Sequence, residues 1–168
     1  VAGLTPPTTS GYGGWERTGA ANFRGHTFGH YMSALSMCYL SSDNEADKQA
    51  LLTQIEDAVS GLEECQNAYA VKYPDHAGYI SAFPEGCLSA VDGVAAPTGN
   101  DGSLIVPYYN LHKVLAGLLE ISKSVDDADL QQRALTVAEK FGDFLYNRFQ
   151  KLTDKNRMLR TEYGGMNE

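Results

Sequence analysis

The sequence predicts an all-α fold of repeated antiparallel helix hairpins, arranged as part of a helical ring or barrel. Three observations lead there. Long segments repeat apolar residues at helical spacing, no segment sustains the period-two alternation of a strand, and one pattern occurs twice. The repeated pattern is a glycine- or proline-containing aromatic approach, then a histidine, then an amphipathic helix. It is read in Gly25-His26-Thr27-Phe28-Gly29-His30-Tyr31-Met32-Ser33-Ala34 and again in Pro107-Tyr108-Tyr109-Asn110-Leu111-His112-Lys113-Val114-Leu115-Ala116, with His30 and His112 each four residues before an alanine. Two imidazoles therefore enter at the same end of two equivalent helices.

The first helix is expected from about His26 to Ser41, where Tyr31, Ala34, Leu35, Cys38 and Tyr39 form one apolar stripe. Asp43 and Asn44 then supply a stop and a new N-cap. Leu51, Leu52, Ile55, Ala58, Val59, Leu62 and Cys65 carry a second helix to about Val71, which closes a hairpin over residues 26–71. Residues 73–107 contain four prolines and no sustained period, so they read as a long excursion carrying at most a short hairpin, of the kind that covers or shapes a site. A second hairpin spans about 110–150. Its first helix uses Leu111, Val114, Leu115, Leu118 and Leu119, and its second uses Leu130, Ala134, Val137, Ala138, Phe141, Leu145 and Phe149. After Thr153 the chain turns polar and ends in Thr161-Glu162-Tyr163-Gly164-Gly165-Met166-Asn167-Glu168, which reads as the approach to another helix. Two helix pairs leave apolar faces uncovered, so the chain is expected to be a piece of a larger domain or a homo-oligomer.

With 168 residues, 43% of them hydrophobic, the chain is long enough for one real core. A formal charge of -8 and the absence of a basic cluster argue against nucleic acid and favour a neutral or basic ligand. No apolar run approaches the roughly 20 residues of a membrane helix, and Val1-Ala2-Gly3-Leu4 is not a charged leader, so the chain reads as soluble with its compartment open. Cys38, Cys65 and Cys87 are odd in number and lack CxxC spacing. Cys38 and Cys65 read as core thiols on apolar helix faces, and Cys87 falls in the loop.

The candidate site is the common mouth of the helix starts. His26, His30, Tyr109, His112, Asn167 and Glu168 are its polar members, and Trp15 lies in the first aromatic approach, where it serves equally well as a plug under the N-terminal loop. A helix N-terminus disfavours imidazolium, so these histidines are expected to be neutral and able to accept a hydrogen bond from a hydroxyl. Tyr12, Trp15, Phe23 and Phe28 before the first helix, Tyr108 and Tyr109 before the second, and Tyr163 before the third add flat faces. Flat rings beside neutral donors and acceptors suit a sugar. The competing structural reading is that each histidine caps or packs. His26 and His30 are four apart as in HExxH metal helices, but Thr27 stands where the glutamate belongs and Gly29 intervenes. Glu162 and Glu168 offer a carboxylate pair for glycoside chemistry, although helix caps use the same residues. His76, in the excursion, is expected to be exposed.

Several motifs, in this order along nearly the whole chain, resemble the bacterial β-L-arabinofuranosidases of glycoside hydrolase families 127 and 146. They are Tyr12-Gly13-Gly14-Trp15-Glu16, Arg24-Gly25-His26, Gly29-His30-Tyr31-Met32-Ser33-Ala34, Glu64-Cys65-Gln66, Gly78-Tyr79-Ile80-Ser81-Ala82-Phe83-Pro84, Pro107-Tyr108-Tyr109-Asn110-Leu111-His112-Lys113 and the segment Thr161 to Glu168. The resemblance implies an (α/α)6 catalytic barrel, of which residues 1–168 are the N-terminal part. It implies retaining hydrolysis of plant-derived β-L-arabinofuranosides, with a zinc-held cysteine thiolate as nucleophile and a glutamate as acid/base. None of the three cysteines here stands in the family's Glu-x-Cys or paired-cysteine zinc motifs. Zinc therefore belongs to the parent enzyme, this segment binds none, and it is inactive alone. What carries over is a sugar-contacting wall of His26 or His30, His112, Asn167 and Glu168. In one departure, Leu104-Ile105-Val106 replaces the tryptophan that relatives place shortly before Pro107-Tyr108-Tyr109, which puts subsite shape in doubt. The alternatives are another (α/α)6 enzyme, such as a sugar epimerase or unsaturated-uronyl hydrolase, and a non-catalytic helical-repeat carbohydrate-binding module.

Overall fold

A computed structural model of the chain describes Glu16, residues 23–100 and 106–162, and Gly165. Among these residues every regular element is helical: α1 (His26–Ser41), α2 (Glu45–Lys72), α3 (Gly86–Asp92), α4 (Pro107–Ser124), α5 (Ala128–Gln150) and α6 (Lys155–Thr161). No helix of the described residues is long and apolar enough to cross a membrane.

The two expected hairpins are present, and local chemistry explains their limits. Residues 42–44 join α1 to α2, and residues 125–127 join α4 to α5. At the first junction the Asn44 side chain accepts from the N–H groups of Ala46 and Asp47, and at the second Asp127 accepts from Leu130. The Asp126 N–H also donates to the Tyr39 hydroxyl at 3.3 Å, which ties the turn of one hairpin to the helix of the other. α4 begins at Pro107, three residues before the expected start, because proline at the first helical position lacks only an N–H that has no partner there.

α1 packs most extensively on α4, and α2 packs on α5, so the hairpins lie side by side. The α1–α4 contact is set by two glycines. A Cβ at Gly29 would lie 2.5 Å from the Lys113 carbonyl oxygen, and one at Gly117 would lie 2.7 Å from Met32 Cβ and 3.0 Å from the Gly29 oxygen. Advancing from Gly29 to Met32 on one helix matches advancing from Lys113 to Gly117 on the other, so α1 and α4 run parallel. Their histidine-bearing N-termini therefore share one end. Behind them Met32, Leu35, Ile55, Val59, Leu111, Leu118, Ile121, Ala134, Val137 and Phe141 form part of a continuous buried core.

Among its described residues the excursion after α2 contains no hairpin. It folds as a 3₁₀ turn (Pro74–His76) and α3, and no strand occurs among the described residues. It is pinned by side chains from α2 and α5. Gln66 of α2 donates through Nε2 to the carbonyls of Gly78 (2.8 Å) and Val137 (3.1 Å). Gly78, at φ +95°, sits against the Lys140 carbonyl, where any Cβ would collide. Arg148 of α5, only 2% exposed, reaches into the excursion and bonds Glu85, Asp92 and the Val94 carbonyl. His76 is thus half-buried rather than exposed, with Nδ1 2.9 Å from Glu85.

Two thiols depart from expectation. Cys38 and Cys65 are exposed, whereas Cys87 is buried on α3. The period of α1 was read correctly but its phase was one position off. The buried face is Gly29, Met32, Leu35, Ser36 and Tyr39, because the glycine-mediated approach to α4 turns that side inward. Tyr31 and Met37 are left exposed on the other side, as is Leu40. On α2 the buried line runs through Ile55, Val59, Gln66 and Tyr69 and passes Cys65 by. The polar stretch after Thr153 holds a short helix, α6, that its composition did not suggest. Asp154 caps it, and Met158 packs beneath it.

Candidate functional site

α1 and α4 share a second feature: neither has a capping side chain at its own N-cap residue, Gly25 or Val106. Each is capped by a buried carboxylate from a distant part of the chain. Glu16, 8% exposed, accepts the Thr27 N–H at 2.6 Å. Glu162, equally buried, accepts the N–H groups of Tyr108 at 3.0 Å and Tyr109 at 2.8 Å. Each anion sits on the positive end of a helix dipole. Burial pushes the Glu162 carboxyl above its ordinary range, and the two N–H bonds oppose that rise. The structural role of Glu162 is therefore capping; Glu168, the other carboxylate of the expected pair, lies outside the described residues. Replacing Glu162 with alanine is expected to lower stability by about 1–2 kcal/mol, the range for losing a strong cap. A urea titration giving no change would refute that role.

The caps fix the first turns, from which the ring side chains project. The structure brings together His26, His30 and Tyr109. His26 Nε2 is 3.2 Å from the Tyr109 hydroxyl, and the two rings stack with centroids 5.2 Å apart. His30 Nε2 is 3.1 Å from the same His26 nitrogen. Phe23 meets the His26 ring edge-on at 6.4 Å, and the Lys113 ammonium lies 4.7 Å from the centre of the Tyr109 ring. Tyr109 and His112 are three residues apart on α4 and share a helix face. A Cβ on Gly165 would come within 2.5 Å of the His112 ring, so Gly165 approaches that imidazole closely. Trp15, Asn167 and Glu168, the other expected members, lie outside the described residues.

Burial holds the His26 imidazole below its ordinary pKa. His30 pushes in the same direction, Glu16 opposes, and Lys113 adds a smaller depression. A neutral His26 is what the helix-end argument expects. The sign of its effect on stability follows directly. A histidine lowered in the folded state contributes stability that is present above the unfolded value near 6.5 and is lost as pH falls through the lower folded value. Urea midpoints of the wild type should therefore drop on acidification below about pH 6.5, and His26→Gln should drop less. Equal slopes would contradict this.

These helices, caps and rings are arranged along a chain whose residues 2–168 match the family model described as β-L-arabinofuranosidase, GH127 catalytic domain. The chain belongs to that family. A search of curated proteins found no match. As a member of the GH127 β-L-arabinofuranosidase family, the chain comes from a glycoside hydrolase that cleaves arabinofuranosides, and its substrate is a carbohydrate.

Two features of this GH127 chain were not legible beforehand. Glu16 belongs to the Tyr12–Glu16 motif, but nothing local says that it caps a helix starting ten residues later. Asp92 and Arg148 set the other side of the α4 start: Asp92 accepts the Tyr108 hydroxyl at 2.5 Å and pairs with Arg148. The zinc–thiolate centre that the resemblance implies does not fit the residues described. Cys38, Cys65 and Cys87 lie on three different helices, and no three His, Cys, Asp or Glu side chains gather in a metal-binding arrangement among the described residues. No step through zinc is assigned to them.

Proposed function

We propose that this segment supplies sugar-binding residues to the active site of a retaining β-L-arabinofuranosidase, with His26, His30, Tyr109 and His112 as the wall that contacts the furanose. The observation that carries the proposal is the meeting of His26, His30 and Tyr109 at the shared end of two parallel helices. The His26 and Tyr109 rings present a flat face, and their edges carry donors and acceptors within hydrogen-bond distance of one another. Such an edge matches the adjacent hydroxyls of a small sugar, and the neutral His26 accepts from a hydroxyl without holding a charge there. The role is to bind and orient. Hydrogen bonds to ring hydroxyls that strengthen as the furanose flattens toward an oxocarbenium-like transition state would add to the rate. Nucleophile and acid/base are placed on other residues of the parent enzyme, together with its zinc, which keeps a thiol ionised when bound.

Calorimetric titration of the full-length protein with L-arabinose tests this. His112→Ala is expected to weaken binding about tenfold, equivalent to about 1.4 kcal/mol, and Tyr109→Phe by a smaller factor, with the fold intact. Unchanged affinity in both variants would sink the assignment.

A further inference from the structure

We propose that His26 and His30 form a two-imidazole chelate for a borderline divalent transition-metal ion, and that the bound ion competes with the sugar. The spacing places both side chains on one face of α1, one turn apart. Their Nε2 atoms are 3.1 Å apart. An ion about 2.1 Å from each nitrogen would subtend an N–metal–N angle of about 95°, within the range that octahedral and tetrahedral centres accept. The two nitrogens already stand within chelating distance, and their mutual hydrogen bond gives way to the ion on binding. Gly29, between the two histidines, is seated against the Lys113 carbonyl, which fixes the helix turn carrying them. His30 is exposed, so an ion reaches the pair directly and the His30 ring has room to turn toward it.

The surroundings suit a weakly held cation. The buried Glu16 carboxylate faces His26 and favours positive charge there, whereas the Lys113 ammonium above the Tyr109 ring opposes it. The Tyr109 hydroxyl, 3.2 Å from His26 Nε2, offers an oxygen beside the ion or to a water bound on it. No third imidazole, thiol or carboxylate joins the pair among the described residues, so the remaining positions fall to water. Two imidazoles suit Ni²⁺, Cu²⁺ or Zn²⁺ and do not suit Mg²⁺ or Ca²⁺, which prefer oxygen ligands. This site is separate from the thiolate centre of the family, which these residues do not build. The competition rests on the proposed function, because the ion would occupy the same ring nitrogens assigned to sugar hydroxyls. The chelate itself does not.

The test is calorimetric titration of the full-length protein with NiCl₂, wild type against His30→Ala. His30 is exposed and outside the buried core, so this variant keeps the fold. The wild type is expected to show a Ni²⁺ site that weakens at least tenfold in His30→Ala. It should also weaken between pH 7.5 and 5.5, because the ring nitrogens must be unprotonated to bind. Equal Ni²⁺ affinity in the two proteins, or no binding by the wild type, overturns the chelate. L-Arabinose affinity is then measured with and without saturating Ni²⁺. Weakening by Ni²⁺ in the wild type that disappears in His30→Ala supports competition. A His30-dependent Ni²⁺ site that leaves arabinose affinity unchanged overturns the competition and the sugar assignment of the pair, while the chelate stands.

Discussion

Arg148→Met is expected to destabilise the protein by about 3–5 kcal/mol, the range for removing one partner from a buried ion pair, and to lower the melting temperature by roughly 10 °C or more. The guanidinium bonds Glu85 at 2.6 Å through Nη1, Asp92 at 2.6 Å through Nε, and both Asp92 and the Val94 carbonyl at 2.9 Å through Nη2. The carboxylate side chains of Glu85 and Asp92 are fully buried. Methionine fills the volume but leaves two anions together without their cation. The remaining donors include the Tyr69 hydroxyl and His76 ring toward Glu85, and the Tyr108 hydroxyl and Val94 N–H toward Asp92. The uncompensated charge dominates over the lost contacts, which makes a specific rescue expected: Arg148→Met combined with Glu85→Gln and Asp92→Asn should recover much of the loss. Urea denaturation of the single and triple variants checks both parts. A single-variant loss below about 1 kcal/mol would mean that the cluster behaves like a surface pair.

Gly29→Val is expected to cost about 3 kcal/mol or more, at or beyond the upper end for overpacking. The backbone here is ordinary helix, so the cost is steric: a Cβ 2.5 Å from the Lys113 carbonyl oxygen must push α1 away from α4. That displacement also separates His26 from Tyr109, so L-arabinose affinity should fall along with stability. Gly61 on α2 supplies the contrast, since a Cβ there meets nothing within 4 Å. Gly61→Ala should stabilise the protein by about 0.5–1 kcal/mol through helix propensity alone. If the two substitutions have similar effects in urea titrations, the close approach of α1 and α4 is not what holds the pair.

Much of the fold was legible because its signals are local. The α1 span from His26 to Ser41 and the cap at Asn44 are decided within a few residues, the cap because a carboxamide meets the first free N–H groups of its own helix. The repeated aromatic–histidine approach likewise marked the starts of α1 and α4. Cys38 and Cys65 were misplaced because periodicity gives a helix its stripe but not its phase. Where apolar residues extend beyond one stripe, the neighbour decides which side turns inward, and Gly29 admits α4 only on one side of α1.

The sequence by itself determined the helical class, the two hairpins, the Asn44 cap and the family to which the chain belongs, since each is written in short-range spacing or ordered motifs. Only the tertiary structure decided what those helices bring together. His26 meets Tyr109 across 83 positions, Glu162 caps a helix that begins more than 50 residues earlier, and Arg148 neutralises Glu85 across 63. No local propensity encodes such partners. A buried charge or free helix end must find whichever complement packing delivers to it, because leaving it unmatched in the core costs more than any single residue's preference.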